Sequence, residues 1–97
     1  MEGKGKMWLI CCGANGRAVL LGYCEEEPVA GQPIKTTRCR MVLRWRNTGG
    51  LLGLAAHGPK EGTRITAPVD FHGDECVRQY TSVSDEAAAA IEAWPPA

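Results

Sequence analysis

The sequence predicts an α+β fold: a small, mostly antiparallel β-sheet with one C-terminal α-helix, and a further short helix or tight loop near residues 50–56. Three observations predict it. Ile34 to Arg46 alternate with a period of two, as a strand does when its side chains leave on opposite faces. Two apolar runs, Met7 to Cys12 and Arg17 to Cys24, flank Asn15-Gly16, a hairpin dipeptide that tolerates positive φ at both central positions. Near the C-terminus, Ser84 precedes Asp85, Glu86 and a run of alanines, and Pro95-Pro96 supply the stop.

Ninety-seven residues with 44% hydrophobic composition make room for one core. Residues 1–6 read as a flexible N-terminal tail and 7–97 as a single α+β domain. With Asn15-Gly16 at the tip, facing positions in the first hairpin sum to 31, which sets Trp8 opposite Tyr23. Both hairpin faces are apolar: Met7, Leu9 and Cys11 on one, Trp8, Ile10 and Cys12 on the other. A sheet with one wet face would expose one of these sets, so the hairpin predicts a covering layer or a homo-oligomer, a dimer or tetramer. Glu25-Glu26-Glu27 form a solvated acidic edge to the loop that ends at Pro33. Further on, Thr63 to Val69 reads as a strand, Asp70 to Glu75 as a loop and Cys76 to Val83 as a last strand. The C-terminal helix buries Ala88, Ile91 and Trp94.

Ile34 to Arg46 is the most informative stretch. The odd positions Cys39, Met41, Leu43 and Trp45 read as a core stripe. The even positions set Arg38, Arg40, Arg44 and Arg46, with Val42 among them, on an exposed face. At about 3.3 Å per residue the arginines span roughly 26 Å.

Composition removes several function classes. Eleven Lys+Arg balance eleven Asp+Glu, so the basic excess needed for general binding to DNA, RNA or an anionic membrane is missing. No apolar run approaches the roughly 20 residues of a membrane span. The five cysteines, Cys11, Cys12, Cys24, Cys39 and Cys76, lack paired zinc spacing and read as free packing thiols without a metal. His57 and His72 stand in no recognisable catalytic spacing, and the adjacent carboxylates Asp74 and Glu75 point apart, so the chain reads as a non-enzyme without a cofactor.

The arginine row is the candidate site. Arginine forks suit phosphate and carboxylate. An anionic small molecule would be met by Arg40, Arg44, Lys60 and Arg64, with the backbone at glycines such as Gly58 and a base stacked on Trp45. The competing readings are docking of an acidic protein and pairing with the chain's own carboxylates, Glu25 to Glu27, Asp74, Glu75, Asp85 and Glu86.

Motifs in the second half resemble a family of small phage-encoded proteins catalogued as a domain of unknown function. They are Arg40-Met41 with Trp45, Gly50-Leu51-Leu52-Gly53-Leu54-Ala55, Gly58-Pro59 with Gly62, Arg64-Ile65, and Thr81-Ser82-Val83-Ser84-Asp85-Glu86-Ala87-Ala88. Two positions depart from the family pattern: Arg44 replaces an aromatic and Arg46 a small polar residue. The resemblance implies a phage protein in the cytoplasm of an infected bacterium. By analogy with phage proteins that sequester immune signals, it implies a cyclic-nucleotide sponge, with an interaction module docking an acidic host protein as the alternative.

Overall fold

The structure, a computed structural model, describes residues 5–13, 18–73 and 77–97. The N-terminal tail to residue 4, the Asn15-Gly16 turn, Asp74, Glu75 and Cys76 lie outside the described residues. The elements are β1 (Lys6–Cys12), β2 (Ala18–Cys24), β3 (Ile34–Arg44), α1 (Gly50–His57), β4 (Arg64–Ile65), β5 (Val69–Gly73), β6 (Val77–Ser82) and α2 (Asp85–Ala93). The strands form one antiparallel sheet in the order β4-β3-β2-β1-β6, with β5 also on β3. This is the α+β class expected, with both helices present. None of the described helices is long and apolar enough to cross a membrane.

The apolar hairpin runs form β1 and β2, but their register is one residue from the expected one. Met7, not Trp8, faces Tyr23, and Trp8 faces Gly22. These pairs sum to 30, against the 31 that the sequence predicts. Trp8 finds its aromatic partner on β6 instead, with the Tyr80 ring 5.8 Å away at 74°.

Each hairpin face fills its own core. Met7, Leu9, Cys11, Val19 and Leu21 pack with Leu54 of α1, Ile65, and Ala87 and Ile91 of α2. Complete burial of a side chain such as Leu54 or Ile91 contributes about 1.5–3 kcal/mol. Ile10, Cys12, Leu20, Cys24, Ile34, Cys39 and Val77 form a second cluster on the other face, with Trp8 and Tyr80 at its edge. That face is covered by curling. The Gly31 N–H donates to Val77 O at 2.8 Å and the Val77 N–H to Gln32 O at 3.0 Å, joining the start of β6 to the segment that enters β3. Two diagonal corners of the sheet therefore meet over the second cluster, and the two apolar faces, expected to need a covering layer or a second subunit, have covering elements within the chain.

Asp70 to Gly73 is strand, not the expected loop. β5 pairs with the first half of β3 and β4 with its second half. Between them Thr66 is tied to β3: its N–H donates to Met41 O at 3.0 Å, and the Met41 N–H donates to its hydroxyl at 2.9 Å. Pro68, with no N–H to give, sits in the gap.

The parity of β3 is the main correction. Both neighbouring ladders shift register around Arg38, which has φ 48. An extra residue in a strand is a bulge, and it exchanges odd and even across it. Ile34 and Cys39 consequently share the second cluster, while Val42 belongs to the helix-covered one. Arg40 is buried at 3% exposure, whereas Met41 and Leu43, expected in the core, are 39% and 52% exposed. In α2 the fully buried positions are Ala87 and Ile91, with Ala88 and Trp94 only partly covered. Ser84 caps this helix as expected, its hydroxyl accepting from the Ala87 N–H at 3.0 Å.

Candidate cationic docking surface

The arginines of β3 divide into three roles. Arg40 points under α2, where its Nε donates to Thr66 O at 2.7 Å, its Nη1 to Ile91 O and its Nη2 to Trp94 O at 2.8 Å. The last turn of α2 carries no basic residue of its own. Arg40 therefore supplies, from the sheet, the cation and donors that the C-terminal carbonyls of a helix require. All three guanidinium nitrogens are engaged, so Arg40 is a structural clamp and not the ligand-binding residue expected. Burial pushes its pKa down from the ordinary arginine value, and Glu92 nearby opposes that shift.

Arg38 realises self-pairing, with a carboxylate the sequence reading did not single out. Its Nε reaches both carboxylate oxygens of Glu92, at 3.1 and 3.2 Å, and its Nη2 reaches Oε1 at 2.9 Å. The Arg38 N–H donates to Asp70 Oδ1 at 3.2 Å. Burial, then the hydrogen bond to Glu92, pushes the Tyr23 hydroxyl up to about 12.

Arg44 and Arg46 remain, and the fold brings other cations to them. The β3–β4 register places Arg44 opposite Arg64. The turn before β4 closes with the Thr63 N–H on Lys60 O at 3.0 Å. Gly62, at φ 95, lies so close that a Cβ there would stand 3.0 Å from Arg46 Cγ. Arg44, Arg46, Lys60 and Arg64 thus gather at one end of β3, all exposed. Among the described residues none of them has a carboxylate within ion-pairing distance. Trp45, 40% exposed, stands among them, and Met41 and Leu43 continue an apolar strip down the strand.

Gly58 leaves the candidate set for a geometric reason. It ends α1 at φ 89 with its N–H donating to Leu54 O at 2.8 Å, and its carbonyl accepts from Asn47 Nδ2 at 2.8 Å. A Cβ would stand 3.0 Å from Ala90 Cβ, so the glycine allows α1 and α2 to pack closely. Of the six residues predicted, the structure groups Arg44, Trp45, Lys60 and Arg64, while Arg40 and Gly58 serve the fold. Arg46, Met41 and Leu43 join the surface. The alternation held the signal for all three, since Val42 within the arginine set marks the even face as one that a core can take.

Two cavities lie elsewhere. One, of about 600 Å³, is lined by Glu25, Glu26 and Glu27 with Tyr23 and Lys35; the other, of about 560 Å³, lies between α1 and β6. His57 ends α1 and His72 sits on β5 opposite Lys35, so the two histidines belong to separate elements. The described residues contain no group of three or more His, Cys, Asp or Glu able to hold a metal ion. Cys11, Cys12, Cys24 and Cys39 are buried thiols. Burial, with Cys39 and Cys12 nearby, pushes Cys24 up to about 11.

A family model described as a domain of unknown function (DUF6948) matches residues 5–94. The chain belongs to the DUF6948 family. No curated protein and no solved structure shows significant similarity to it. The match spans both helices and every described strand, so the buried Arg40 clamp and the cationic end of β3 both lie within the DUF6948 domain.

Proposed function

We propose that this DUF6948 protein is a non-enzymatic, phage-borne binding module that docks an acidic host protein through the cationic end of β3. The observation that carries the reading is the like-charge pair Arg44–Arg64, flanked by Arg46 and Lys60 and without a carboxylate partner among the described residues. Like charges directly opposite in a sheet are destabilising. A surface that keeps them is best relieved by an anionic partner from outside. Exposed Trp45, Leu43 and Met41 supply apolar contact beside the charges, and an interface core joins these two chemistries.

The other reading of the same charges, sequestration of a cyclic nucleotide, has lost two of its expected contacts, the guanidinium of Arg40 and the N–H of Gly58. The cavities of about 600 and 560 Å³ are lined by other residues. A broad surface of arginine and apolar side chains suits a protein better than a small molecule that needs enclosure. A thermal-shift comparison separates the readings. The acidic-apolar peptide Glu-Leu-Glu-Glu-Leu-Glu-Asp-Leu should raise the melting temperature at low salt, while mono-, di- and cyclic nucleotides should not. Stabilisation by one nucleotide alone would return the site to the sponge reading.

A further inference from the structure

β6 is the outer strand on the side of the sheet opposite β4, and it pairs with β1 along one edge only. Its beginning is occupied, because Val77 exchanges two backbone bonds with Gly31 and Gln32. Its later half is open. The Val83 N–H donates inward to Met7 O at 3.2 Å, so by the alternation of an antiparallel ladder Leu9/Thr81 is a bonded pair and Ile10/Tyr80 and Trp8/Ser82 are not. The N–H and C=O groups of Tyr80 and Ser82 therefore point away from β1. Neither proline nor a charged residue interrupts the stretch from Gln79 to Ser82, although these are the usual devices that guard an open edge.

A groove of about 560 Å³ runs beside this edge, floored by Leu9 and Cys11, walled by Leu51 and Leu52 of α1, and bordered by Gln79 and Thr81 of β6. No charged side chain lines it. Leu52, at 69%, is the most exposed large hydrophobic among the described residues. The groove lies on the helix-covered face, because its floor residues belong to the core under α1 and α2. A strand added to β6 would send alternate side chains toward that face.

We propose that the Tyr80–Ser82 edge and the α1–β6 groove bind an extended, uncharged peptide segment of another protein by strand addition, with one aliphatic or aromatic side chain in the groove. The open backbone groups select an extended peptide, since only that offers donors and acceptors at strand spacing. Size selects a short segment over a second copy of this chain. Four edge residues make a contact roughly 14 Å long and one strand spacing of about 4.8 Å wide, an area far below the roughly 1,600 Å² that a stable protein interface buries. This site is separate from the cationic end of β3 and does not depend on its reading.

The test is a selection of random ten-residue displayed peptides on the full chain, followed by titration of the selected peptides into ¹⁵N-labelled protein. The selected peptides should share a single aliphatic or aromatic position within an uncharged, strand-forming stretch. They should shift the Tyr80 and Ser82 amide signals and protect those amides from exchange. Binding should weaken at least tenfold in Leu52→Asp, whose side chain is exposed, and in Ser82→Pro, which removes an outward N–H. If either variant fails to fold, the other carries the comparison. The proposal is overturned if no peptide is selected, or if the selected peptides bind both variants as tightly as the parent. A parent dimer in light scattering that Ser82→Pro reduces to a monomer would also overturn it, because the edge would then belong to a second copy.

Discussion

Arg44 stands opposite Arg64 where β3 meets β4, a cross-strand pair of like charge with no described carboxylate within ion-pairing distance. Four residues upstream, Arg40 makes the opposite use of the same side chain, closing the end of α2 from beneath. The contrast divides one arginine row into a structural part and a surface part, and each part has its own test.

Arg40→Leu should destabilise the protein by about 3–5 kcal/mol, because the carbonyls of Thr66, Ile91 and Trp94 lose a buried cationic donor. Met41→Ala, at a partly exposed position, should cost less than about 1 kcal/mol. Urea denaturation of the two variants checks the order. A larger loss for Met41→Ala would mean that the odd face of β3, not the even one, is the buried one.

That order could not be read from the sequence. Period two in Ile34 to Arg44 announced the strand correctly, but the bulge at Arg38 rests on one positive φ that an arginine does not advertise. From Cys39 to Val42 the alternation is as the sequence shows it; what the sequence hides is that α2 covers the even face, burying Arg40 and Val42 and leaving Met41 exposed. The Ser84 cap, both apolar hairpin faces and the α+β class were legible because each is a local pattern. The register of β1 on β2, the curl that joins Val77 to Gly31 and Gln32, and the pairing of β5 with β3 arise from contacts distant in sequence. The candidate surface was half legible for the same reason. Arg44, Trp45, Lys60 and Arg64 were visible as residue types, while the burial of Arg40 depends on where α2 lands.

Gly58→Ala should lower the melting temperature by about 4 °C or more. At φ 89 and ψ 173 the backbone is strained for any residue with a Cβ, by about 1–3 kcal/mol, and the added methyl meets Ala90. Peptide binding at the cationic end should be unchanged in the folded variant at low temperature. Loss of binding with an unchanged melting temperature would make Gly58 a contact residue after all.

Stability should fall as the solution turns alkaline. Burial holds Cys24 protonated up to about 11 in the folded chain, against an ordinary value of 9.0, and Tyr23 to about 12 against 10.0. The unfolded chain therefore loses these protons first, and deprotonation drains the folded state. Melting temperatures should be insensitive to these groups below pH 9 and decline from 9 through about 12, as Cys24 and then Tyr23 lose the protons that burial holds. The same burial predicts that Cys11, Cys12, Cys24 and Cys39 react with a thiol reagent at neutral pH only after denaturant is added. Rapid labelling of all four in the native protein would contradict the packing described.

The most direct test of the docking surface is calorimetric titration of Glu-Leu-Glu-Glu-Leu-Glu-Asp-Leu into the parent and into Arg44→Ala/Arg64→Ala. Neither arginine is buried, so the double variant should melt at the parent's temperature or slightly above it. Charge-assisted bonds contribute about 1.5–3 kcal/mol each, so each arginine removed should weaken binding about tenfold to a hundredfold. Added salt should weaken what remains. Binding of equal strength to parent and double variant, or no binding to the parent at low salt, would contradict the account.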